Sequence, residues 1–231
     1  MTISDNTTPH KAADYDKSVR QTIPFYDIIQ SETVDLVKTV KPDVKCWLDT
    51  GCGTGCLVEI ALSHFPRTGF ILTDPAETML QQAKNRLKSV PESRVKYLPP
   101  APSEKLDQYK EEIHPQVITA VLCHHYLHQP QRERAVQICY QLLEEGGVFI
   151  TVENITPATP RGIALGLDRW QRFQVEHGRA ASVVAEHAKR FNTEYFPISI
   201  DDHLNLLRET GFKTVHLFWM SHMQAGFYAC K

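Results

Sequence analysis

The stretch CWLDTGCGTGCLVEIAL, residues Cys46 to Leu62, sets glycines at 51, 53 and 55 between an apolar run that closes on an acid, Asp49, and a second apolar run. Glycine has no Cβ to hold a ligand away and tolerates φ > 0, so a loop this bare lets a bound molecule reach main-chain atoms directly. With Val44 to Leu48 as a strand, Asp49 stands at its carboxyl end, where open α/β sheets bind ligands. The spacing separates two ligand classes. A dinucleotide loop runs G-x-G-x-x-G and uses its last glycine for close helix packing. Here that position is Cys56, and the glycines run G-x-G-x-G. A pyrophosphate would also meet Asp49 as a like charge, whereas an ammonium or sulfonium group is favoured by it.

A second acid passes the same test. FILTDPAETML closes an apolar run on Asp74, nineteen residues beyond Gly55. A carboxylate at the end of a second strand can accept protons from both ribose hydroxyls, so adenosine joined to a cation is the implied ligand. Through LDTGCGTG and LTDPAETML, in that order, the chain resembles the class I S-adenosylmethionine-dependent methyltransferases over roughly residues 44–153. The resemblance implies an α/β, Rossmann-like sheet of seven strands, mostly parallel with an antiparallel last strand and helices on both faces. It further implies that Asp49, Gly51, Cys52, Gly53 and Gly55 meet the methionine part of S-adenosyl-L-methionine and that Asp74 holds the ribose. Pro75, Met79 and Cys123 are expected in the same pocket, and S-adenosyl-L-homocysteine is the product. Family members often carry an acid after the third strand that bonds the adenine amino group. In YLPPAPSEKL the corresponding place is Ala101, so main-chain groups or Ser103 are expected to hold adenine.

Outward from the loop, strand-like and helix-like segments alternate, the pattern of a mostly parallel sheet. Strands are expected near 45–49, 69–73, 94–98, 116–122 and 147–153, with a terminal pair over 212–219 and 224–230. AETMLQQAKNRLKSV and RERAVQICYQLLEEGG carry apolar residues at helical spacing, the second stopped by Gly146 and Gly147. Ser199 and Asp202 have capping-box spacing, and Gly211 ends that helix. The whole reads as one domain: an N-terminal helical lid over 1–43 with a frayed start to about residue 13, a cofactor-binding core over 44–153, a helical insertion over 154–198 that shapes an acceptor pocket, and a closing helix and strand pair over 199–231.

A narrower resemblance lies in YDKSVRQTIPFYD, residues 15–27, and more loosely in LFWMSHMQAGFYACK. Both are similar to segments of carboxy-S-adenosylmethionine synthase and its methyltransferase relatives. It implies that Tyr15, Arg20 and Tyr26 line or close the cofactor pocket, with Arg20 able to grip a carboxylate. The competing reading is an amphipathic helix whose Tyr and Arg merely cover the sheet. Carboxylating chemistry needs a cationic clamp for the extra carboxylate, and Arg161, Arg169, Arg172 and Arg179 are unplaced candidates.

VLCHHYLHQP puts His124, His125 and His128 at the carboxyl end of the fourth strand. As bases, His125 or His128 could take a proton from an oxygen or nitrogen acceptor. As metal ligands, His124 and His128 have i, i+4 spacing but no third partner nearby, so no metal is expected. As structure, the cluster shapes the cofactor pocket. Methyl transfer asks little of side chains beyond an in-line approach, so a catalytic base is optional.

A formal charge of −2 with interspersed signs gives no footprint for nucleic acid or an anionic membrane. Six cysteines form no CxxC pair, and Cys52 and Cys56 read as small hydrophobes. The polar start lacks a signal-like apolar stretch, and no run is long enough to span a bilayer. Composition and resemblance together imply a cytoplasmic methyltransferase acting on a small molecule, with room for a homodimer. A cofactor-modifying enzyme of the carboxy-S-adenosylmethionine synthase type and a non-catalytic S-adenosylmethionine-binding protein stand as alternatives.

Overall fold

The computed structural model describes residues 12–231; the expected frayed start lies outside the described residues up to position 11, and Ala12–Asp14 makes one 3-10 turn. Strands β1 (Cys46–Thr50), β2 (Gly69–Thr73), β3 (Val95–Tyr97), β4 (Val117–Val121), β5 (Val148–Asn154), β6 (Thr214–Ser221) and β7 (Gln224–Cys230) form a single sheet. Its order is β3-β2-β1-β4-β5-β7-β6. The first five strands run parallel, and β7 enters antiparallel between β5 and β6. The reversal of strand order beside β1 and β4 is the switch point at which such sheets open a crevice.

Strands β1, β2, β4 and β5 are almost wholly buried, as expected where helices cover both faces. Period-two alternation sends successive side chains to opposite layers. Trp47, Phe70, Leu72 and Ile150 pack on one side against helices α2 (Tyr26–Val40), α3 (Cys56–His64) and α4 (Glu77–Arg86). Leu48, Ile118, Phe149 and Phe227 pack on the other against α5 (Gln129–Leu142) and α8 (Ile200–Thr210).

A third apolar cluster sits past the carboxyl ends of the strands. Helix α1 (Tyr15–Thr22) supplies Val19, α6 (Pro160–Glu176) supplies Trp170, and Leu122, Val152, Tyr195 and Met223 are among the residues packed with them. The Trp170 indole N–H donates to the Thr22 carbonyl at 2.6 Å, tying the insertion to the N-terminal helix. The rest of the insertion is α7 (Ala181–Lys189) and a return segment held by Ile155–Ile198 and Phe191–Tyr195 bridges.

Helix ends follow the sequence chemistry. Ser199 Oγ accepts from the Asp202 N–H at 3.1 Å while the Asp202 carboxylate reaches back to the Ser199 N–H, and Gly211 takes φ 117° at the end of α8. Helix α5 departs from expectation by stopping at Leu142, short of Gly146: Leu143 turns extended and buries its side chain in the core.

Trp47 is fully buried, edge-on to Phe65 at 5.5 Å, and its indole N–H donates to Thr119 Oγ1 at 2.9 Å. Trp47→Ala is expected to cost about 3–5 kcal/mol in chemical denaturation, and Trp47→Phe clearly less.

Candidate functional site

At the end of β1 the chain turns through Gly51, Gly53 and Gly55 at φ +68°, +54° and +77°, left-handed values that favour glycine. At Gly51 a Cβ would lie 2.6 Å from Cys123 Cβ, so the loop closes directly on the end of β4. At Gly53 a Cβ would meet nothing within 4 Å and would project into open space. Asp74 holds this loop in place: its Oδ2 accepts the Gly53 N–H and its Oδ1 the Ala76 N–H, each at 2.9 Å.

Between this loop and β4 lies a cavity of about 280 Å³. Gly51, Gly53, Asp74, Pro75, Met79 and Cys123 line it from below, as the sequence places them. Tyr15 and the Pro102–Glu104 segment close its sides. A smaller adjoining cavity touches Asp49, Cys52 and Tyr26. Asp49 is buried and accepts from the Thr119 hydroxyl at 2.6 Å. Burial pushes its carboxyl up to about 7, against the Thr119 bond and with help from the Asp74 charge.

Past β4, Leu122 sits at φ 58°, a left-handed value that costs energy for a branched side chain, and its N–H is fixed on the Val152 carbonyl. The next turn carries the histidines. Glu153, 0% exposed, receives the main-chain N–H groups of His124 and His125, the Thr151 hydroxyl, and His125 Nδ1 at 2.7 Å. Burial alone would raise this carboxyl; the His125 bond and the neighbouring histidines outweigh it and hold it down to about 2. An ionised Glu153 only accepts, so His125 Nδ1 carries a proton and donates to it, and in the neutral imidazole Nε2 is then the ring's acceptor. His124 Nε2 pairs with Ser103 Oγ at 2.9 Å, and burial lowers that imidazole to about 4. His128 is elsewhere: it stands at the start of α5 with its ring over Phe196, centroids 3.9 Å apart, and lines none of these cavities. Among the described residues no group of three His, Cys, Asp or Glu is set to hold a metal ion.

Residues 48–149 match a methyltransferase domain family. The carboxy-S-adenosyl-L-methionine synthase of Trichodesmium erythraeum is 23% identical over 94% of this chain and 85% of its own length. Human N-acetylserotonin methyltransferase, solved with S-adenosylmethionine, superposes with a TM-score of 0.60 at 15% identity over 95% of this chain. An O-methyltransferase family protein of Burkholderia thailandensis superposes with 0.61 at 15% identity over 98%. The chain spans 58% and 65% of those two solved proteins. The matched segment is thus a methyltransferase domain, in line with the resemblance to the class I S-adenosylmethionine-dependent methyltransferases. Its cofactor is therefore S-adenosylmethionine.

The residues fit that cofactor. Gly53 leaves room for a ligand to approach the main chain, and the Asp74 carboxylate lines the cavity beside it. Glu104 lines the same cavity, and its Oε2 is buried with no hydrogen-bond partner among the described residues. The loop after β3 thus contributes a carboxylate that suits an adenine amino group, three residues past Ala101. Ala101 turns into the core at 6% exposure, and the 3-10 turn Ser103–Tyr109 brings Glu104 to the cavity beside the expected Ser103. Ser103 also lines the cavity, with its hydroxyl against Thr50 and His124.

The N-terminal residues part company. Tyr15 lines the cavity and Tyr26 its smaller neighbour, and burial pushes both phenols far up, so they stay neutral. Arg20 instead pairs with Asp27 at 2.7 Å near the surface, stacks over Tyr26, and lines neither cavity. What holds α1 down is a network absent from the sequence reading. Asp16 accepts from the Thr54 hydroxyl of the glycine loop at 2.7 Å and from Arg86 of α4. Arg86 in turn donates to the Thr54 carbonyl at 2.8 Å.

Gly53→Ala is expected to weaken S-adenosylmethionine binding at least tenfold in calorimetry, with a stability loss of about 1 kcal/mol. Asp49 gives a pH signature. Its folded value lies above the unfolded one near 3.9, so its contribution to apoprotein stability is lost as pH rises through about 7. A cationic ligand prefers the ionised form, so the dissociation constant at pH 5.5 should be roughly ten- to thirtyfold weaker than at pH 8. Asp49→Asn should flatten both trends.

Proposed function

We propose that this enzyme transfers the methyl group of S-adenosylmethionine to an oxygen or nitrogen atom of a small molecule, in the cytoplasm, as a monomer or homodimer. One observation carries the reading: His125, held through Nδ1 by Glu153, lines the small cavity adjoining the cofactor cavity, and no lysine or arginine lines that cavity or its two neighbours among the described residues. When bound, the cofactor supplies a methyl group already activated on a sulfonium. The chain then has to bind, align and remove a proton. Asp74 and the glycine loop position the donor end, and Tyr15 and α1 exclude water above it. His125 accepts the acceptor's proton at Nε2 while Glu153 stabilises the resulting imidazolium through Nδ1.

A second reading, carboxylation of the cofactor, draws support from similarity to carboxy-S-adenosyl-L-methionine synthases over most of the chain. Such a donor would place an additional carboxylate in a buried site, at a large desolvation cost without a cationic partner. The lining supplies none, and Arg179 and Arg190 are occupied by Gln174 and Glu194. A purely binding role fits less well than catalysis, because it gives no reason for the small cavity left beside His125.

Mass spectrometry of cofactor released from purified protein separates the first two readings. Unmodified S-adenosylmethionine or S-adenosylhomocysteine is expected; a donor heavier by one carboxyl group would transfer the assignment to cofactor carboxylation. In a methyl-transfer assay with an accepted substrate, His125→Ala should lower kcat about 10²–10⁴-fold while leaving S-adenosylmethionine affinity within twofold. His128→Ala should leave kcat nearly unchanged.

A further inference from the structure

Beneath α1, and separated from the cofactor cavity by single side chains, is a second cavity of about 30 Å³. It shares Tyr15, Leu122 and Tyr126 with the cofactor cavity, so these three form the junction between them. Its far side is built from the insertion: His187 of α7 and Tyr195 of the return segment. Tyr195 is 2% exposed, and its hydroxyl has no hydrogen-bond partner among the described residues. A buried hydroxyl left in that state is destabilising, so its presence asks for a partner that arrives from outside. His125 faces the same space, edge-on to Tyr195 with ring centroids 6.1 Å apart.

We propose that this cavity is the acceptor chamber and that it recognises a small uncharged molecule by a single hydroxyl group, gripped between His125 Nε2 and Tyr195 Oη. The inference rests on the methyl-transfer reading and names its substrate class. A hydroxyl is the group that answers both neighbours at once, because it donates to the histidine lone pair and accepts from the tyrosine O–H. The lining is aromatic or apolar apart from such neutral polar groups, and a charged acceptor would lose its hydration against walls that hold no Lys, Arg, Asp or Glu. Burial pushes the Tyr126 phenol up to about 12 and Tyr195 further still, so both remain neutral donors. Room for about two water molecules suits the hydroxyl end of the acceptor alone, with the rest of the molecule on the cofactor-cavity side of the Tyr15–Leu122–Tyr126 junction. In the transfer the donor's carbon–sulfur bond breaks, a carbon–oxygen bond forms, and the hydroxyl proton passes to His125 Nε2. No oxidant or reductant is needed. Tyr195 acts as a specificity residue that reads the acceptor oxygen.

The test is calorimetric titration of the full chain, first with S-adenosylhomocysteine and then, on the saturated protein, with phenol, toluene and benzoate as probes. Phenol should bind at least tenfold more tightly than toluene or benzoate. Tyr195→Phe should weaken phenol about tenfold and leave S-adenosylhomocysteine within twofold. Phenol binding no better than toluene on saturated wild-type protein, or unchanged by Tyr195→Phe, overturns the chamber while methyl transfer stands. Should the variant fail to fold, the wild-type comparison of the three probes decides alone. Loss at the earlier step, with S-adenosylhomocysteine not binding to folded protein, would instead remove the methyl-transfer reading on which the chamber rests.

Discussion

The turn after β4 depends on one buried anion. Glu153 lies near the carboxyl end of a fully buried strand, out of reach of water, where an isolated carboxylate would cost far more than the fold could supply. It is tolerated because two main-chain N–H groups, a hydroxyl and an imidazole converge on it. That convergence fixes the backbone from Cys123 to Tyr126. The left-handed Leu122, the Cys123 wall against Gly51, the His124 contact with Ser103 and the orientation of His125 all follow from it. Removing any single donor leaves the charge less compensated, so the loop is held cooperatively.

Two further ties make the region a closed unit. Asp16 binds α1 to the glycine loop and to α4, and Trp170 binds the insertion to the carbonyl at the end of α1. Segments more than a hundred residues apart therefore cover the site together. Neither tie is strong alone; exposed ion pairs contribute about 0–1 kcal/mol. The Asp16–Arg86 pair is partly sheltered and shares its partners with the Thr54 hydroxyl and carbonyl, which gives it geometry as well as charge.

The sheet was legible because its cues are local: alternating apolar runs, three glycines within five residues, and acids at two strand ends. The order of strands and the antiparallel β7 came from resemblance, since no local pattern encodes which strands become neighbours. The site was legible only where it is built from contiguous residues. Glu104 was missed because a 3-10 turn, and not the strand, carries it to the cavity. Glu153 and Tyr195 act through partners distant in sequence, although a glutamate inside the run VFITVEN was a readable anomaly: a charge in a strand that otherwise has to be buried on both faces. Arg20 misled in the opposite direction. Its charge is complementary to a carboxylate, but Asp27, seven residues on, satisfies it at the surface.

Asp49 has a consequence for turnover. Its carboxylate is buried against the Thr119 hydroxyl and its proton affinity is raised to about 7, so nearby positive charge tips it further toward the anion. The donor carries one more positive charge than the product. At the moment the methyl group leaves, Asp49 loses part of the attraction that kept it ionised, and its pull toward a proton rises. The same side chain that favours loading thus weakens retention once the reaction is complete, giving the cycle a direction without any moving part.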